Sequence, residues 1–250
     1  MLDVKPAPTV SVVIPTLNEA ANLPHVFAEL PADLHEVIVV DGLSDDDTVA
    51  VAQALRPDVR VVLERAPGKG AALRAGFVAA SGDIIVMLDA DGSADPAEIS
   101  AFVAALTAGA DFAKGSRFVG AGGSSDITRF RRIGNKGLNG VVNLLFGTRY
   151  TDLCYGYNAF WRRCLEVVDI DCHGFEIETL INIRIARARL DVVEVGSFER
   201  DRIHGRSKLR PVRDGLRVMR TILRERFAST RRTPPREAEP AVSRPLPAEG

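Results

Sequence analysis

Residues 84–96 read IIVMLDADGSADP, and this stretch decides the fold of the 250-residue chain. Its first five residues, 84–88, are all apolar, and a short continuous apolar run predicts a buried β-strand. Two aspartates, Asp89 and Asp91, follow at once. Because two like charges are costly to bury side by side without a cation, the end of this strand is a candidate ligand site.

The first half of the chain repeats the pattern of an apolar run followed by a helical stretch. Apolar runs lie at 10–14, 36–40, 59–63, 83–88 and 110–114, and stretches with helical spacing lie at 19–30, 45–56, 69–80 and 96–108. This alternation predicts an α/β fold with a Rossmann-like, mostly parallel central sheet flanked by helices. Because the runs are continuously apolar, we expect both faces of the sheet to be covered.

The second half is less regular and ends in a proline-rich segment. Helices are predicted over 128–147, 175–189 and 211–227, and a strand over 191–196. From 228 to 250 the chain is polar and interrupted by prolines, a composition that cannot build a core. We therefore expect one folded domain over residues 1–227 and a disordered tail over 228–250.

Polar residues with ligand-binding chemistry follow the predicted strands of the first half. They are Asn18 and Glu19, Asp41, Lys69, Asp89 and Asp91, and Arg117. Because parallel strands end at the same edge of a sheet, we expect these side chains to share the edge where open α/β sheets bind ligands. The sequence lacks the glycine fingerprints of dinucleotide-binding and P-loop proteins, which argues against both classes.

Asp89 and Asp91 form a candidate metal site. Residues i and i+2 of an extended segment point to the same side, so both carboxylates can face one ion. Carboxylate oxygens favour Mg²⁺ or Mn²⁺, which complete their coordination with phosphates and water. This edge therefore suits a nucleotide whose phosphates are bridged by a divalent cation. The next acid, Asp95, directly precedes Pro96 and is instead predicted to cap a helix.

Bulk composition limits the cellular setting and the partners. The formal net charge is −1, and the basic cluster at 129–136 contains a single aromatic residue, Phe130, so we expect no nucleic-acid partner. Three cysteines without a CxxC pair fit a reduced, cytoplasmic protein. The N-terminus lacks the features of a signal peptide. No apolar run approaches the roughly 18 residues of a transmembrane helix, so any membrane contact is expected to be peripheral.

Eight segments together resemble one known family. They are VVIPTLNE (12–19), VVDGLSDDDT (39–48), GKGAALRAGF (68–77), LDADGSADP (88–96), GSRF (115–118), TDLCYGYNAFWR (151–162), GFEIE (174–178) and RIHGRSKL (202–209). In this order and spacing they resemble family 2 glycosyltransferases with the GT-A fold. Within that family, the chain is similar to polyprenyl-phosphate (dolichyl-phosphate) hexose synthases over about residues 10–209.

The resemblance implies a reaction and a division of the chain. It implies a metal-dependent, inverting transfer of a hexose from a nucleoside-diphosphate sugar, of the GDP-mannose or UDP-glucose type. The acceptor that it implies is a polyprenyl phosphate at the cytoplasmic face of the membrane. Residues 10–120 would form the nucleotide-sugar-binding half and residues 121–209 the acceptor-side half.

The resemblance also implies site residues. For the nucleotide sugar they are Pro15, Leu17, Glu19, Asp41, Lys69, Asp89, Ala90, Asp91, Arg117, Glu178, Arg202, His204 and Lys208. For Mg²⁺ or Mn²⁺ they are Asp89, Asp91 and Ser93, and for catalysis Asp91, Asp152 and Arg117. Leu17 stands where many relatives carry an aromatic residue, and Ser93 stands where some carry a metal-binding glutamine.

The acceptor decides whether the reaction needs a general base. A hydroxyl acceptor needs one, usually a carboxylate within hydrogen-bond reach, and Asp152 is the candidate. A lipid phosphate is already anionic near neutral pH, so Asp152 would then position other groups. A glycosyltransferase with a soluble or secondary-metabolite hydroxyl acceptor therefore stays an alternative. A sugar nucleotidyltransferase and a non-catalytic nucleotide-binding module are further alternatives, although the segment after the first strand contains no glycine-rich loop.

Residues 206–226 contain eight arginines or lysines and two acids. With helical spacing, Arg213, Arg217, Arg220 and Arg224 form a basic stripe, and Val212, Leu216, Met219 and Leu223 form an apolar stripe beside it. Such a helix can lie on an anionic membrane surface, or it can pack its apolar stripe on the domain. Both interpretations are open at the level of sequence.

Overall fold

A computed structural model describes residues 6–205 and 209–228. The strands in this part of the chain are β1 (Val10–Thr16), β2 (Glu36–Asp41), β3 (Arg60–Leu63), β4 (Ile84–Met87), β5 (Phe112–Ser116), β6 (Gly123–Ser124), β7 (Asn158–Trp161), β8 (Val192–Gly196) and β9 (Phe198–Glu199). The α-helices are α1 (Leu23–Ala28), α2 (Thr48–Leu55), α3 (Lys69–Ala79), α4 (Ile99–Thr107), α5 (Arg129–Phe146), α6 (Ile177–Arg187) and α7 (Pro211–Phe227).

The central sheet has seven strands in the order β3-β2-β1-β4-β7-β5-β8. β2 pairs with β1 and β3, β4 with β1, and β8 with β5, all in parallel. β7 is antiparallel to both of its neighbours, β4 and β5. The predicted α/β fold with a mostly parallel sheet flanked by helices is confirmed. β7 was not predicted, because its four residues, NAFW, begin with a polar asparagine and form no apolar run long enough to indicate a strand.

Both faces of the sheet are covered, as its continuously apolar strands predicted. Val12 and Ile14 of β1 point into one apolar core, together with Phe102 of α4. Val13, between them, points into a second core with Leu73 and Phe77 of α3. This alternation is the two-residue period of an extended strand with helices on both sides.

A third, smaller core joins the helices beside the carboxyl edge of the sheet. Its buried members include Val142 of α5, Ile183 of α6, and Val218 and Ile222 of α7. α7 is therefore attached to the domain through α5 and α6. The packing places α5 and α7 next to the ends of the strands that carry the charged residues.

Several helices are shorter than predicted. The stretch 19–30 contains only α1, because the chain before it forms a turn in which the Asn22 N–H donates to the Glu19 carbonyl at 2.9 Å. Before α4 a short 3₁₀ turn, Pro96–Glu98, is capped by Asp95, which accepts the Ala97 N–H at 2.9 Å. The capping role predicted for Asp95 is confirmed. Beyond Ala228, the predicted disordered tail lies outside the described residues.

Candidate active site

A cleft of about 240 Å³ opens at the carboxyl edge of the sheet, beside the segments that follow β4 and β5. Its charged side chains include Lys69, Asp89, Asp91, Arg117, Glu178 and Arg202. Its apolar side chains include Ile127, Phe130, Leu138, Phe175, Pro211 and Val218, mostly from α5 and α7. The cleft can therefore hold a molecule that has both a charged and an apolar part.

Asp89 belongs to a triad with Lys69 and Glu178. The Lys69 Nζ lies 2.6 Å from an Asp89 carboxylate oxygen and 2.7 Å from Glu178 Oε1. Burial alone would lower the pKa of Lys69, but the two carboxylates outweigh it and raise that pKa above its ordinary value. Burial also raises the pKa of Glu178, and the nearby Asp89 charge adds to this effect. Lys69 is thus the internal cation that lets two acids lie together.

Two glycines bring Lys69 to the triad. Gly68 has a φ of +107°, and a Cβ there would lie 2.0 Å from the His173 carbonyl oxygen. The N–H of Gly70 donates to the same oxygen at 2.9 Å. Only glycine allows the loop before α6 to approach the start of α3 so closely. This contact places Lys69 of α3 beside Glu178 of α6.

Gly156 lies against the triad, so a side chain there would displace one of the charged groups. A Cβ at this position would lie 2.7 Å from Lys69 Nζ and 3.0 Å from Asp89 Oδ2. We expect Gly156→Ala to displace Lys69 from Asp89. Because a small displacement of groups in a site can lower the rate by up to about a hundredfold, we expect kcat to fall by about tenfold to a hundredfold. Steady-state kinetics with circular dichroism on the folded variant measures this.

The matched control is Gly137→Ala in α5, where a Cβ would meet nothing within 4 Å. This control should keep its kcat and gain a little stability, because alanine favours helices over glycine. A folded Gly156→Ala variant with the wild-type kcat would contradict the expectation that turnover depends on the contact between Lys69 and Asp89.

Asp91 is held by a turn and paired with an arginine. Its Oδ1 accepts the Ser93 N–H at 3.0 Å, and its Oδ2 lies 2.6 Å from Arg202 Nη2. Ser93 therefore contacts Asp91 through its backbone N–H. Ala90, between the two aspartates, is buried in the first apolar core.

Asp89 and Asp91 fit a divalent metal with few protein ligands. Across residues 6–205 and 209–228, no group of three or more His, Cys, Asp or Glu side chains could hold a metal by itself. Two carboxylates at the cleft, each already beside a cationic side chain, supply the hard oxygen donors that Mg²⁺ and Mn²⁺ prefer. The remaining ligands would then come from a diphosphate and from water.

Arg117, which lines the cleft, forms a buried pair with Asp152. The Arg117 Nε and Nη2 donate to the two Asp152 oxygens at 2.7 and 2.9 Å, and its Nη1 donates to Glu199 at 2.9 Å. Asp152 also accepts a bond from Asn135 at 2.9 Å. Burial raises the pKa of Asp152, but the Arg117 hydrogen bonds and charge outweigh it, so this pKa lies below its ordinary value. A carboxylate with this low pKa is a weak base.

Asp41 lies on the neighbouring part of the same edge, where β1 and β2 end. It accepts the Ser44 N–H at 2.9 Å and the Ser44 hydroxyl at 2.5 Å. Asn18, at a φ of +58°, links the two loops, because its N–H donates to Ser44 Oγ at 2.8 Å and its Oδ1 accepts the Asp45 N–H at 2.8 Å. The two loops therefore form one connected surface.

The other residues implied for the nucleotide lie on or near this surface. Pro15 is in β1, and Leu17 is 40% exposed beside Gly42. Glu19 lies 3.5 Å from Arg202 Nη1, and Arg202 also pairs with Asp91, so it connects this surface to the turn that carries Asp91. The His204 ring packs near the His25 ring, with centroids 5.7 Å apart. Lys208, the last residue implied for the nucleotide sugar, lies outside the described residues.

Sequence reasoning missed several residues of the cleft, among them Tyr155, Gly156 and Glu199 and, on α5, Arg131. Tyr155 and Gly156 come from the turn before β7, a strand that was not predicted, and Glu199 comes from the two-residue strand β9. The Tyr155 ring lies 5.0 Å from the Arg117 guanidinium carbon, a cation–π contact. The segment TDLCYGYNAFWR contains Tyr155 and Gly156, so the resemblance indicates the region but not these contacts.

α7 leaves an apolar stripe exposed. Val218 and Ile222 are its buried apolar side chains. Val212 and Leu216 of the predicted stripe are each 67% exposed, and Leu223 is 45% exposed. Three of the four side chains of the predicted stripe therefore do not pack on the domain, whereas the fourth, Met219, is half-buried.

Acidic residues anchor the buried face of α7. Glu225 lies 2.8 Å from Arg184 and 3.1 Å from Arg187, both on α6. Asp214 accepts the Arg210 N–H at 2.7 Å at the start of the helix. Because both acids of the helix face inward, its outer surface is basic and apolar.

The fold and the cleft define a class of protein. A mostly parallel sheet with an antiparallel strand beside β4, and two aspartates at the end of β4, are the framework of the GT-A fold. The family model of glycosyl transferase family 2 matches residues 11–168. The chain belongs to glycosyl transferase family 2, and it is a glycosyltransferase.

Named relatives fall within the same class. Polyprenol monophosphomannose synthase of Mycolicibacterium smegmatis is 35% identical over 219 residues, or 82% of this chain and 83% of that protein. Dolichol-phosphate mannosyltransferase of Pyrococcus furiosus is 35% identical over 210 residues, and the match spans 80% of this chain but only 59% of that protein. Glucosyl-3-phosphoglycerate synthase of Mycobacterium tuberculosis, solved with Mn²⁺, UDP and glucosyl-3-phosphoglycerate, is 26% identical with a TM-score of 0.69, covering 87% of this chain and 80% of that one.

Proposed function

We propose that the protein transfers a hexose, with inversion, from a nucleoside-diphosphate sugar to a polyprenyl phosphate. The observation that carries this proposal is the pairing of the acids. Each carboxylate that lines the cleft within the described residues lies within 4 Å of a lysine or arginine nitrogen: Asp89, Asp91, Asp126, Glu178, Glu199 and Asp214. Asp152, the candidate base, is buried and bound by Arg117 on both oxygens.

A site with paired acids suits an acceptor that needs no base. A phosphate is anionic near neutral pH and attacks the sugar without giving up a proton, whereas a hydroxyl has to lose one. We therefore assign Asp152 a positioning role for Arg117. The relatives named for polyprenol and dolichol phosphates support the same acceptor.

Asp89 and Asp91 would hold the divalent metal, Mg²⁺ or Mn²⁺. When bound, the metal supplies positive charge for the negative charge that develops on the leaving diphosphate. Arg202, from the segment next to Asp91, supplies a further cation at the same place. The mycobacterial neighbour solved with Mn²⁺ and UDP supports a divalent metal in this site.

The apolar side chains of the cleft would hold the start of the polyprenyl chain. They include Phe130 and Leu138 of α5 and Val218 of α7. Arg131, also on α5, lines the same cleft and pairs with Asp126 at 2.7 Å. We propose that the acceptor phosphate lies near Arg131, and that its chain leaves between the two helices.

The outer surfaces of α5 and α7 would contact the membrane that contains the acceptor. Phe130 and Ile133 of α5 are 64% and 72% exposed, and Val212 and Leu216 of α7 are exposed to a similar degree. Each cation near an anionic bilayer adds about 1 kcal/mol of binding, and the exposed apolar side chains add more by insertion. No described helix has the length and apolarity to cross a bilayer. We propose that the contact through these two helices is peripheral.

A charged residue in the exposed stripe should weaken membrane binding. We expect Leu216→Glu to reduce binding to anionic vesicles by about tenfold, because it replaces an inserting side chain with a charge that the lipid repels. Co-sedimentation with vesicles of mixed phosphatidylglycerol and phosphatidylcholine measures this. The control is Leu63→Glu on the edge strand β3, where Leu63 is 63% exposed. Equal vesicle binding by both variants and the wild type would contradict a membrane role for α7.

Incubation with labelled GDP- or UDP-sugars and Mn²⁺ tests the donor and the acceptor together. One reaction contains polyprenyl phosphate in vesicles, and a parallel reaction contains 3-phosphoglycerate, which represents the soluble-acceptor alternative raised by the mycobacterial neighbour. We expect label in the lipid extract and a preference for one nucleotide base. Transfer to the soluble acceptor alone would overturn the proposal.

A further inference from the structure

Residues 200–205, here called the strap, are bound to the turn that carries Asp91. The Arg200 N–H donates to the Ser93 carbonyl at 2.7 Å, and the Ile203 N–H donates to the Asp91 carbonyl at 3.3 Å. The Ile203 side chain covers Gly92, where a Cβ would lie 2.5 Å from Ile203 Cδ1. Gly92 also has a φ of +74°, so this close approach requires glycine.

The far end of the strap is fixed to the start of α1. The His204 N–H donates to Asn22 Oδ1 at 2.9 Å, and the Asn22 Nδ2 donates to the His204 carbonyl at 3.2 Å. The Arg200 side chain meets Glu29 at 3.1 Å and also contacts Asp95. The backbone of the strap is attached at both ends. The Arg202 side chain can therefore change its partner while the main chain of the strap stays in place.

Arg202 and a metal would compete for the same atom. One Asp91 oxygen, Oδ1, is bonded to the Ser93 backbone, and the other, Oδ2, lies 2.6 Å from Arg202 Nη2. A divalent ion coordinated at Oδ2 would repel the guanidinium at that distance. A bound diphosphate offers Arg202 another anionic partner within reach of the same turn, with charge-assisted hydrogen bonds.

We propose that Arg202 couples metal binding to diphosphate binding: the guanidinium leaves Asp91 Oδ2 for the diphosphate when the metal takes its place. This proposal rests on the proposed function. It follows that the metal alone binds weakly and that each ligand strengthens the binding of the other by the same factor. Arg202 is thus an exchangeable cation of the metal site as well as a diphosphate contact.

Mn²⁺ titration of the full chain, followed by electron paramagnetic resonance of the free ion, tests the coupling. The titration is done alone and with UDP or GDP, whichever gives the larger thermal shift. In Arg202→Gln, we expect Mn²⁺ alone to bind about fivefold to tenfold more tightly, because its competitor is gone. The strengthening of Mn²⁺ binding by the nucleotide should fall in the same variant. Arg200→Gln, which changes an arginine of the same strap that does not pair with Asp91, should behave as the wild type.

The outcomes separate this inference from the proposed function. Unchanged or weaker Mn²⁺ binding by folded Arg202→Gln would overturn the exchange, and Arg202→Lys, which keeps the charge, should restore part of the wild-type coupling. If neither UDP nor GDP binds the wild type, the proposed donor is wrong. The titration with Mn²⁺ alone still decides whether Arg202 competes with the metal.

Discussion

Asp91→Asn is expected to lower the rate of sugar transfer by about 10³-fold while leaving the fold intact. Asparagine keeps the shape of Asp91 and an Oδ1 atom that can accept the Ser93 N–H, so the turn after β4 should be retained. It removes the charge that would hold the metal. Loss of the electrostatic stabilisation of a leaving group lowers the rate by on the order of 10²- to 10³-fold or more. Measurement of kcat/KM at several Mn²⁺ concentrations tests this.

The matched control is Asp95→Asn in the same stretch of sequence. Asp95 caps the 3₁₀ turn before α4 and pairs with Arg200, so its loss should affect stability by about 1 kcal/mol. Its kcat should stay within a few-fold of the wild type. If Asp91→Asn keeps a wild-type kcat/KM, or if both variants lose the same activity, the assignment of Asp91 to the metal is wrong.

Arg117→Met is expected to destabilise the protein by about 3–5 kcal/mol. The change leaves Asp152, which is fully buried, and Glu199 without their shared counterion, and an uncompensated buried charge costs about that much. Urea unfolding at pH 7 measures it. The control is Arg163→Met, because Arg163 pairs with Asp111 at 2.9 Å but its side chain is 52% exposed, and such pairs contribute about 1 kcal/mol or less.

The ion pair between Arg117 and Asp152 also predicts how the stability of the protein changes with pH. The pKa of Asp152 in the folded protein lies below its ordinary value of about 3.9, so ionised Asp152 stabilises the fold above that pH. Its contribution falls as the pH drops below about 4 toward the folded pKa. The stability difference between the wild type and Asp152→Asn should therefore shrink in acid and be constant near neutral pH. A difference that grows in acid would contradict the pairing of Asp152 with Arg117.

The sequence predicted the fold best where local pattern and burial agree. The run 84–88 is apolar because its strand has helices on both faces, so its identity as a strand and the position of Asp89 and Asp91 at the sheet edge could be derived. β7 could not, because a short strand that pairs with β4 and β5 on both sides is stabilised by neighbours distant in sequence. Gly156, which precedes β7, was missed for the same reason.

Side-chain partners were the least predictable part of the site. Lys69 was predicted to lie at the edge, but its contact with Glu178 depends on how the loop at His173 packs against two glycines. For α7 the sequence shows two stripes but not which face is buried. The buried face includes Asp214 and Glu225, and an acid is buried there only because α6 supplies arginines for Glu225.

The most direct test of the proposed acceptor compares polyprenyl phosphate with the polyprenol of the same chain length. Both are presented in the same vesicles with Mn²⁺ and the preferred labelled sugar nucleotide, and the initial rate of label entering the lipid extract is measured. Because the cleft's acids are paired with cations, we expect transfer to the phosphate and little or none to the alcohol. Transfer to the polyprenol at an equal or higher rate would show that the site deprotonates a hydroxyl, and would contradict this account.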